Sequence, residues 1–430
     1  MEGMKTQKTT FKQTEIGLVP EEWVEVVLSD AIEINPQRKL KKGELAKFVS
    51  MADINPFQRK ISNFTIKEFK GGSKFQNGDT LFARITPCLE NGKTCFVDIL
   101  DDKEVAFGST EFIVLSAKEG KTVPLFVYYL SRSPEVRNSA IKSMSGTSGR
   151  QRVESEVFDT IFINLPPLPE QRAIAKILSD LDARIELKQQ MNKTLEAIGQ
   201  ALFKHWFVDF EFPNEEGKPY KSSGGRMVYS EELGKEIPEG WRVGRLGEFI
   251  SFEKGRKPTH VFDFYQDGLL PQILIEVLDG GSCGFANIEN MIISNENDII
   301  MVMDGASSGR CARGFGGILG STLAKIVIKD LSQNYVYYFL KERENDIKEN
   351  TTGTSIPHAD KGRIEKYQII IPSQDILNKF NHIIDNLFLR QILARKQSLT
   401  LSRIRDALLP KLMSGKIRVP VDEMVNGENL

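Results

Sequence analysis

Histidine and cysteine are scarce in this chain, four of each in 430 residues, and each scarcity excludes something. Four histidines (His205, His260, His358, His382) leave little for acid–base chemistry. His205, beside Trp206 at a helix end, reads as structural. Four scattered cysteines (Cys88, Cys95, Cys283, Cys311) cannot staple a disulfide scaffold. Cys88 and Cys95 have no histidine nearby, which argues against a zinc site. No apolar run reaches the roughly 18 residues that a membrane span requires. The polar, basic stretch Met1–Gln13 has no apolar segment of the secretory kind. The expectation is a reduced, cytoplasmic protein. Charge of one sign is missing too: Lys+Arg 57 against Asp+Glu 58 leaves −1. That excludes histone-like proteins and acidic disordered tails. Totals do not say where the charge sits.

What is present first is repetition. "GLVPEEWVEVVL" (Gly17–Leu28) returns as "KEIPEGWRVGRL" (Lys235–Leu246), aligning Trp23 with Trp241. "NGDTLFARI" (Asn77–Ile85) returns as "ENDIIMVMD" (Glu296–Asp304), and "FGSTEFIVL" (Phe107–Leu115) as "LGSTLAKIV" (Leu319–Val327). "VYYL" (Val127–Leu130) answers "VYYF" (Val336–Phe339). "GTS" stands at Gly146–Ser148 and at Gly353–Ser355, each followed by a β-type run into proline, "FDTIFINLPP" and "YQIIIP". These landmarks keep their order at offsets between 206 and 219 residues, so the chain is a duplicated unit. Each copy is large enough for its own core. Short β-type stretches (Thr80–Ile85, Glu111–Leu115, Thr160–Leu165) alternate with Gly-bearing turns and one short helix around VYYL.

Each copy closes on a long helix. The first opens at Glu170 and Gln171 after "NLPPLP" and runs to about Trp206. Ile174, Leu178, Leu181 and Ile185 form its stripe, resumed after a slip in phase by Met191, Leu195, Ile198 and Leu202. The second follows "IPSQD" with Leu377, Phe380, Ile384, Leu387, Ala394, Leu401 and Leu408 on an a/d track, interrupted by Gln391, Ser398 and Arg405. At 1.5 Å per residue each spans roughly 55–60 Å. A narrow stripe of that length needs a partner stripe, so the two helices are expected to pack antiparallel.

Segment counts reveal what the charge total conceals. Between Pro36 and Lys74 there are ten Lys/Arg (Arg38, Lys39, Lys41, Lys42, Lys47, Arg59, Lys60, Lys67, Lys70, Lys74) against Glu44, Asp53 and Glu68. The second copy carries Lys254, Arg256, Lys257 and His260 in "FEKGRKPTH". "GTSGRQR" supplies Thr147, Ser148, Arg150, Gln151 and Arg152, and Arg84 on the strand "TLFARI" is counted among the candidate DNA contacts. Its counterpart "GTSIPHADKGR" supplies Thr354, Ser355, His358 and Lys361, followed by Arg363, and "GASSGRCAR" adds Arg310 and Arg313. Arginine forks to guanine, asparagine and glutamine pair with adenine, and main-chain N–H groups approach phosphate. A solvated charged face is the alternative for any such run. Basic loops at matching places in both copies favour nucleic acid. The second long helix carries nine Lys/Arg against three Asp/Glu between Gln374 and Arg418. A solvated flank explains that best, ahead of phosphate contact or docking to an acidic partner.

Catalytic motifs are missing. "INPQ", "INPF" and "LPPL" all fail the amino-methyltransferase tetrapeptide, and "GFGGILG" (Gly314–Gly320) fits neither a dinucleotide fingerprint nor a P-loop. No cofactor, metal or catalytic residue is assigned, and the chain reads as a binder. The duplicated layout, "LPPLPEQRAIAKILSDLDARI" at the first junction and the entries "IGLVPEEW" and "EIPEGW" resemble the specificity subunit of type I restriction-modification systems, as does "WFVDFEFPNEEGKPYKSSGGRMV". The likeness extends from about Glu15 to Val419.

The resemblance implies an α+β chain with two pseudo-symmetric target recognition domains separated by two long helices packed as an antiparallel coiled coil. The expected boundaries are 1–165 for the first domain, 166–212 for the central helix and 213–372 for the linker and second domain. A C-terminal helix at 373–418 and a flexible tail at 419–430 complete it. It further implies reading of a bipartite, asymmetric site in double-stranded DNA, with no chemistry of its own. Modification (methyltransferase) subunits would methylate adenine with S-adenosylmethionine, and ATP-driven restriction subunits would cleave. The helix length would set the unread gap, since half-site readers sit about 34–36 Å apart per helical turn. Alternatives are a methyltransferase partner without a nuclease, a coiled-coil protein-interaction scaffold and an enzyme with an unrecognised site. The second junction, "IIPSQDILNKF", departs from the family pattern by lacking the Glu-Gln pair, and the two GTS loops diverge after Ser148 and Ser355.

Overall fold

The computed structural model describes residues 10–14, 17–147, 149–281, 283–353 and 356–420. The chain divides into two compact units, 1–187 with 398–430 and 188–397. The duplication read from sequence is repeated in the topology of each.

In unit 1, one four-stranded sheet is ordered Ile32–Ile34, Phe112–Ala117, Thr80–Ala83, Thr94–Phe96, all antiparallel. A second is ordered Thr65–Glu68, Leu45–Val49, Ala106–Gly108, Ser73–Phe75, with its central pair parallel. Unit 2 has the same two sheets. One runs Ile250–Lys254, Leu323–Ile328, Ile299–Val302, Cys311–Ala312; the other runs Phe285–Asn287, Leu269–Ile273, Gly317–Leu319, Ile293–Ser294, again with one parallel pair. The alternating apolar strands are central and fully buried, as in Thr80–Ala83 and Ile299–Val302, so both faces of these sheets are covered. The strand entering each long helix pairs with the strand after the Pro-x-x-Trp entry: Phe162–Leu165 with Val24–Val27, and Gln368–Ile371 with Arg242–Arg245.

The VYYL and VYYF segments lie in helices Pro124–Arg132 and Gln333–Glu342. Each is followed by a further short helix, Pro134–Lys142 and Glu344–Glu349, that the apolar pattern did not announce.

The long helices are Leu168–Phe203, which passes into a π-type turn at Lys204–Val208, and Gln374–Met413. In unit 1 Asp182 of the first meets Arg405 of the second; in unit 2 Glu196 meets Gln391. One index rises as the other falls, so the helices are antiparallel. Two of the three interruptions of the a/d track are therefore part of the seam: Gln391 and Arg405 are buried, each answered by an acid on the facing helix. One expected stripe position is corrected. Ile198 is 46% exposed, and the buried line passes instead through Leu195, Gly199 and Phe203. Gly199 is required there, because a Cβ would stand 2.0 Å from the Tyr338 hydroxyl.

The Glu-Gln at the first helix start is used internally. Glu170 accepts the Trp23 indole N–H at 2.8 Å and pairs with Arg418 at 2.8 Å. Gln171 accepts from the Val123 N–H and donates to the Lys121 and Pro166 carbonyls. In unit 2, whose helix start lacks this pair, Trp241 is stacked on Phe212 at 4.8 Å and edge-on to Phe210. The departure at the second junction thus exchanges a polar anchor for an aromatic one.

All four cysteines are free thiols, and burial pushes those of Cys95 and Cys311 upward in pKa. Among the described residues no helix is long and apolar enough to cross a membrane.

Candidate nucleic-acid interface

Gly146 and Gly353, which open the two GTS landmarks, each follow the closing pair of a short hairpin framed alike in both units. In unit 1 Ser145 and Arg152 exchange both main-chain hydrogen bonds, and Gly146 turns the chain with φ of 125°. The returning strand is clamped to the end of Thr80–Ala83: Thr86 N–H donates to the Gln151 carbonyl and Val153 N–H to the Arg84 carbonyl. In unit 2 Thr352 and His358 exchange the same pair, and Gly353 turns with φ of 93°. Gly305 N–H donates to the Pro357 carbonyl and Ala359 N–H to the Met303 carbonyl. A Cβ on Gly353 would lie 2.4 Å from the Ile356 carbonyl, so only glycine closes this turn. The scaffold is shared and the tips differ, Gly146–Gln151 against Gly353–Pro357.

Each hairpin base is charge-neutralised. Arg152 holds Glu111 through a fork, with Nη2 at 2.6 Å, and Arg84 pairs with Glu154. In unit 2 Asp304 takes both Lys254 at 2.9 Å and the His358 Nδ1 at 2.7 Å. Burial pushes the Asp304 carboxyl up, but the hydrogen bonds from His358 and Lys254 outweigh it and hold it below the usual range. Thr147 and Arg150 are exposed at the unit 1 tip, and Gln151 is half-buried beside them. Ser148, Thr354 and Ser355 lie outside the described residues.

The remaining cations sort into three groups. Lys39, Lys41 and Lys42 are exposed on the connection into strand Leu45–Val49, next to Lys70 across the Gly43–Phe69 hydrogen bond. Arg256, Lys257 and His260 are exposed on the equivalent connection of unit 2, and Arg256 donates to the Asn290 carbonyl at 3.0 Å. A second group is committed to acids within its own unit. Arg38 binds the buried Asp79 at 2.9 Å, Arg59 forks onto Glu186 of the first long helix at 3.0 Å with Lys60 at 3.5 Å, and Arg310 binds Asp279 at 2.6 Å. Lys361 is half-buried, over the Phe252 ring.

Arg313 is the clear correction. It is 4% exposed, donates to Asn334 at 2.6 Å and lies over Phe388 and Tyr337 at 3.9 and 4.5 Å. By strand register it occupies the place of Phe96, which packs edge-on to Tyr128, the counterpart of Tyr337. It is a core residue carrying a charge, and no surface contact remains for it to make.

Sequence reasoning missed the counter-charges Asp79, Glu111, Glu186, Asp279 and Asp304, which come from distant segments and follow no spacing rule. It also passed over Val261, Phe262, Phe264 and Tyr265, exposed together beside Lys257 and His260. The signal was readable as "HVFDFY", an apolar cluster in a polar connection. Among the described residues no group of three His, Cys, Asp or Glu could hold a metal ion.

A duplicated α+β chain, with one hairpin scaffold bearing two different tips and basic connections at matching places, defines the class: a recognition protein with two related reading units. The model of the type I restriction modification DNA specificity domain matches residues 20–197 and 238–401, and the chain belongs to that family, whose role is DNA-sequence recognition. It is 30% identical over 440 residues to the type I restriction enzyme MjaIX specificity subunit of Methanocaldococcus jannaschii, covering 96% of this chain and 97% of that one. It is 25% identical to the HindI specificity subunit of Haemophilus influenzae, over 86% and 94% of the two chains. The fold is similar to the S subunit of a type I restriction-modification system from M. genitalium, with a TM-score of 0.50 at 17% identity over 91% and 96% of the chains.

Proposed function

We propose that each unit reads one half of a bipartite, asymmetric site in double-stranded DNA, and that the chain itself performs no chemistry. Modification subunits then methylate adenine, and ATP-driven restriction subunits cleave, at the sites this chain selects in the cytoplasm. The observation that carries the reading is the hairpin: a fixed scaffold with Arg150 and Gln151 at one tip and Ile356 and Pro357 at the other. Two readers of one sequence would need one tip. Two readers of different sequences need two tips on a common frame.

In this reading Thr147, Arg150 and Gln151 face base edges, while Lys39, Lys41, Lys42, Arg256, Lys257 and His260 face phosphates. Arg84, Arg152, Lys254 and His358 hold the hairpins in place. Arg38, Arg59, Lys60 and Arg310, each tied to an acid, position loops. A base-contacting arginine contributes about 1–3 kcal/mol and one position of specificity. The Arg150→Ala chain is therefore expected to bind its site more weakly by that amount and to tolerate a changed base pair at one position. Lys41→Ala with Lys42→Ala should weaken all duplexes alike and flatten the salt dependence. Unchanged affinity in both variants would refute the assignment.

A further inference from the structure

The connection between the first strand of one sheet and the middle strand of the other occupies the same topological place in both units. In unit 1 it joins Ile32–Ile34 to Leu45–Val49 and is rich in lysine: Arg38, Lys39, Lys41, Lys42. In unit 2 it joins Ile250–Lys254 to Leu269–Ile273 and carries the exposed cluster Val261, Phe262, Phe264 and Tyr265. Phe264 is 79% and Tyr265 65% exposed. Leaving such rings in water forgoes the gain of burying them, and a contiguous exposed apolar cluster marks an interaction surface.

The loop is built, not loose. Phe262 exchanges both main-chain hydrogen bonds with Phe285 at 2.8 Å. The Tyr265 ring stands edge-on to Phe285 at 5.8 Å, and Gly284 leaves room for Val261, since a Cβ there would be 2.4 Å from its Cγ1. The loop also continues directly from the hairpin frame. Lys254, at its root, is bound to the Asp304 that holds His358. Arg256, Lys257 and His260 lie between that root and the rings, and Asp263 and Asp267 accompany the rings themselves. The cations therefore precede the apolar tip, which is the order required for phosphate contact beside base contact.

Resting on the DNA reading above, we propose that this connection grips the unit 2 half-site through Phe264 and Tyr265 against the bases, with Arg256 and Lys257 on the flanking phosphates. The equivalent connection of unit 1 grips its half-site through lysines on phosphates alone. Apolar side chains contact thymine methyls or wedge between base steps, and neither contact releases counterions. The two connections thus differ in a measurable way.

The test compares full-length chains, alone and with their modification subunits, on a duplex taken from a genomic site whose adenine is methylated. Phe264→Ala with Tyr265→Ala is expected to lower affinity about tenfold or more, with the slope of log affinity against log salt unchanged. Phe264→Trp should retain binding. Lys41→Ala with Lys42→Ala should reduce the slope by about 2, near 0.9 for each phosphate lost. Both ring positions are exposed, and a matching thermal melt shows that the fold is kept. Wild-type affinity in the double ring variant overturns the proposal, as does a loss accompanied by a flatter slope. Normal DNA binding with failed assembly overturns it too, making the rings a subunit-docking site. A wild-type chain with no preference for its methylated site overturns the DNA reading itself.

Discussion

The two units share every strand pairing described above, yet hold their halves of the helix seam by different chemistry. In unit 1 the seam contains a buried ion pair, Arg405 on Asp182 at 2.6 Å, with the Tyr129 hydroxyl donating to the same carboxylate at 2.7 Å. In unit 2 the neutral Gln391 and the Tyr337 hydroxyl both donate to Glu196, and the buried Arg313 guanidinium lies over the Tyr337 and Phe388 rings. Tyr338, the counterpart of Tyr129, ends against Gly199, and among the described residues its hydroxyl makes no hydrogen bond of ordinary geometry. A fold therefore fixes where a polar group must be satisfied, and leaves open which pair satisfies it. After duplication each copy settled on its own solution.

The largest expected effect breaks this comparison at its ionic side. Asp182→Ala removes the buried partner of Arg405 from a site where both side chains are about 5% exposed or less, and leaves the guanidinium to the half-exposed Asp406 at 2.8 Å. It should cost about 3–5 kcal/mol in denaturant unfolding, with hydrogen exchange rising first in unit 1. Asp182→Leu combined with Arg405→Met should recover most of that loss, because no charge is left buried. Next comes Arg313. Arg313→Ala should cost about 2 kcal/mol through lost ring contacts and packing, whereas Arg313→Phe, which copies Phe96, should cost less. Neither should change the salt dependence of DNA binding. If Arg313→Ala flattens that slope, the residue touches phosphate and its placement in the core is wrong.

The paired tyrosines sharpen the contrast. Burial and the Asp182 carboxylate both hold the Tyr129 hydroxyl protonated and donating. Tyr129→Phe should therefore cost about 1–2 kcal/mol, and Tyr338→Phe close to nothing. The smallest effect concerns acid. The Asp304 carboxyl has a folded pKa below its unfolded value, so its contribution to the unit 2 hairpin is present above about pH 4 and is lost as pH falls through the folded value. Exchange at the Thr352 and His358 amides, corrected for intrinsic rate, should rise below that point, and Asp304→Asn should remove the dependence.

Much of this was legible in the residues. The duplicated landmarks became matching strands and hairpins because each marks a position where the backbone has little choice, such as the φ values of Gly146 and Gly353. The long helices were legible from their stripes. Ile198 was misplaced because Gly199, not an apolar side chain, occupies the seam opposite Tyr338, and a glycine is silent in a hydrophobic pattern. Arg313 was misread for the opposite reason: composition records its charge and not the three rings that surround it. Arg38, Arg59 and Arg310 show the general limit. Their partners stand 41, 127 and 31 residues away in sequence, and a pair is visible only once the chain has folded.

The central claim is that one hairpin frame presents two independent readers. Replacing the unit 1 tip Gly146–Gln151 with the unit 2 tip Gly353–Pro357, and sequencing methylated adenines in cells that also carry the modification subunits, tests it most directly. One half of the methylated motif should change while the other half stays fixed. A motif altered in both halves, or in neither, would contradict it.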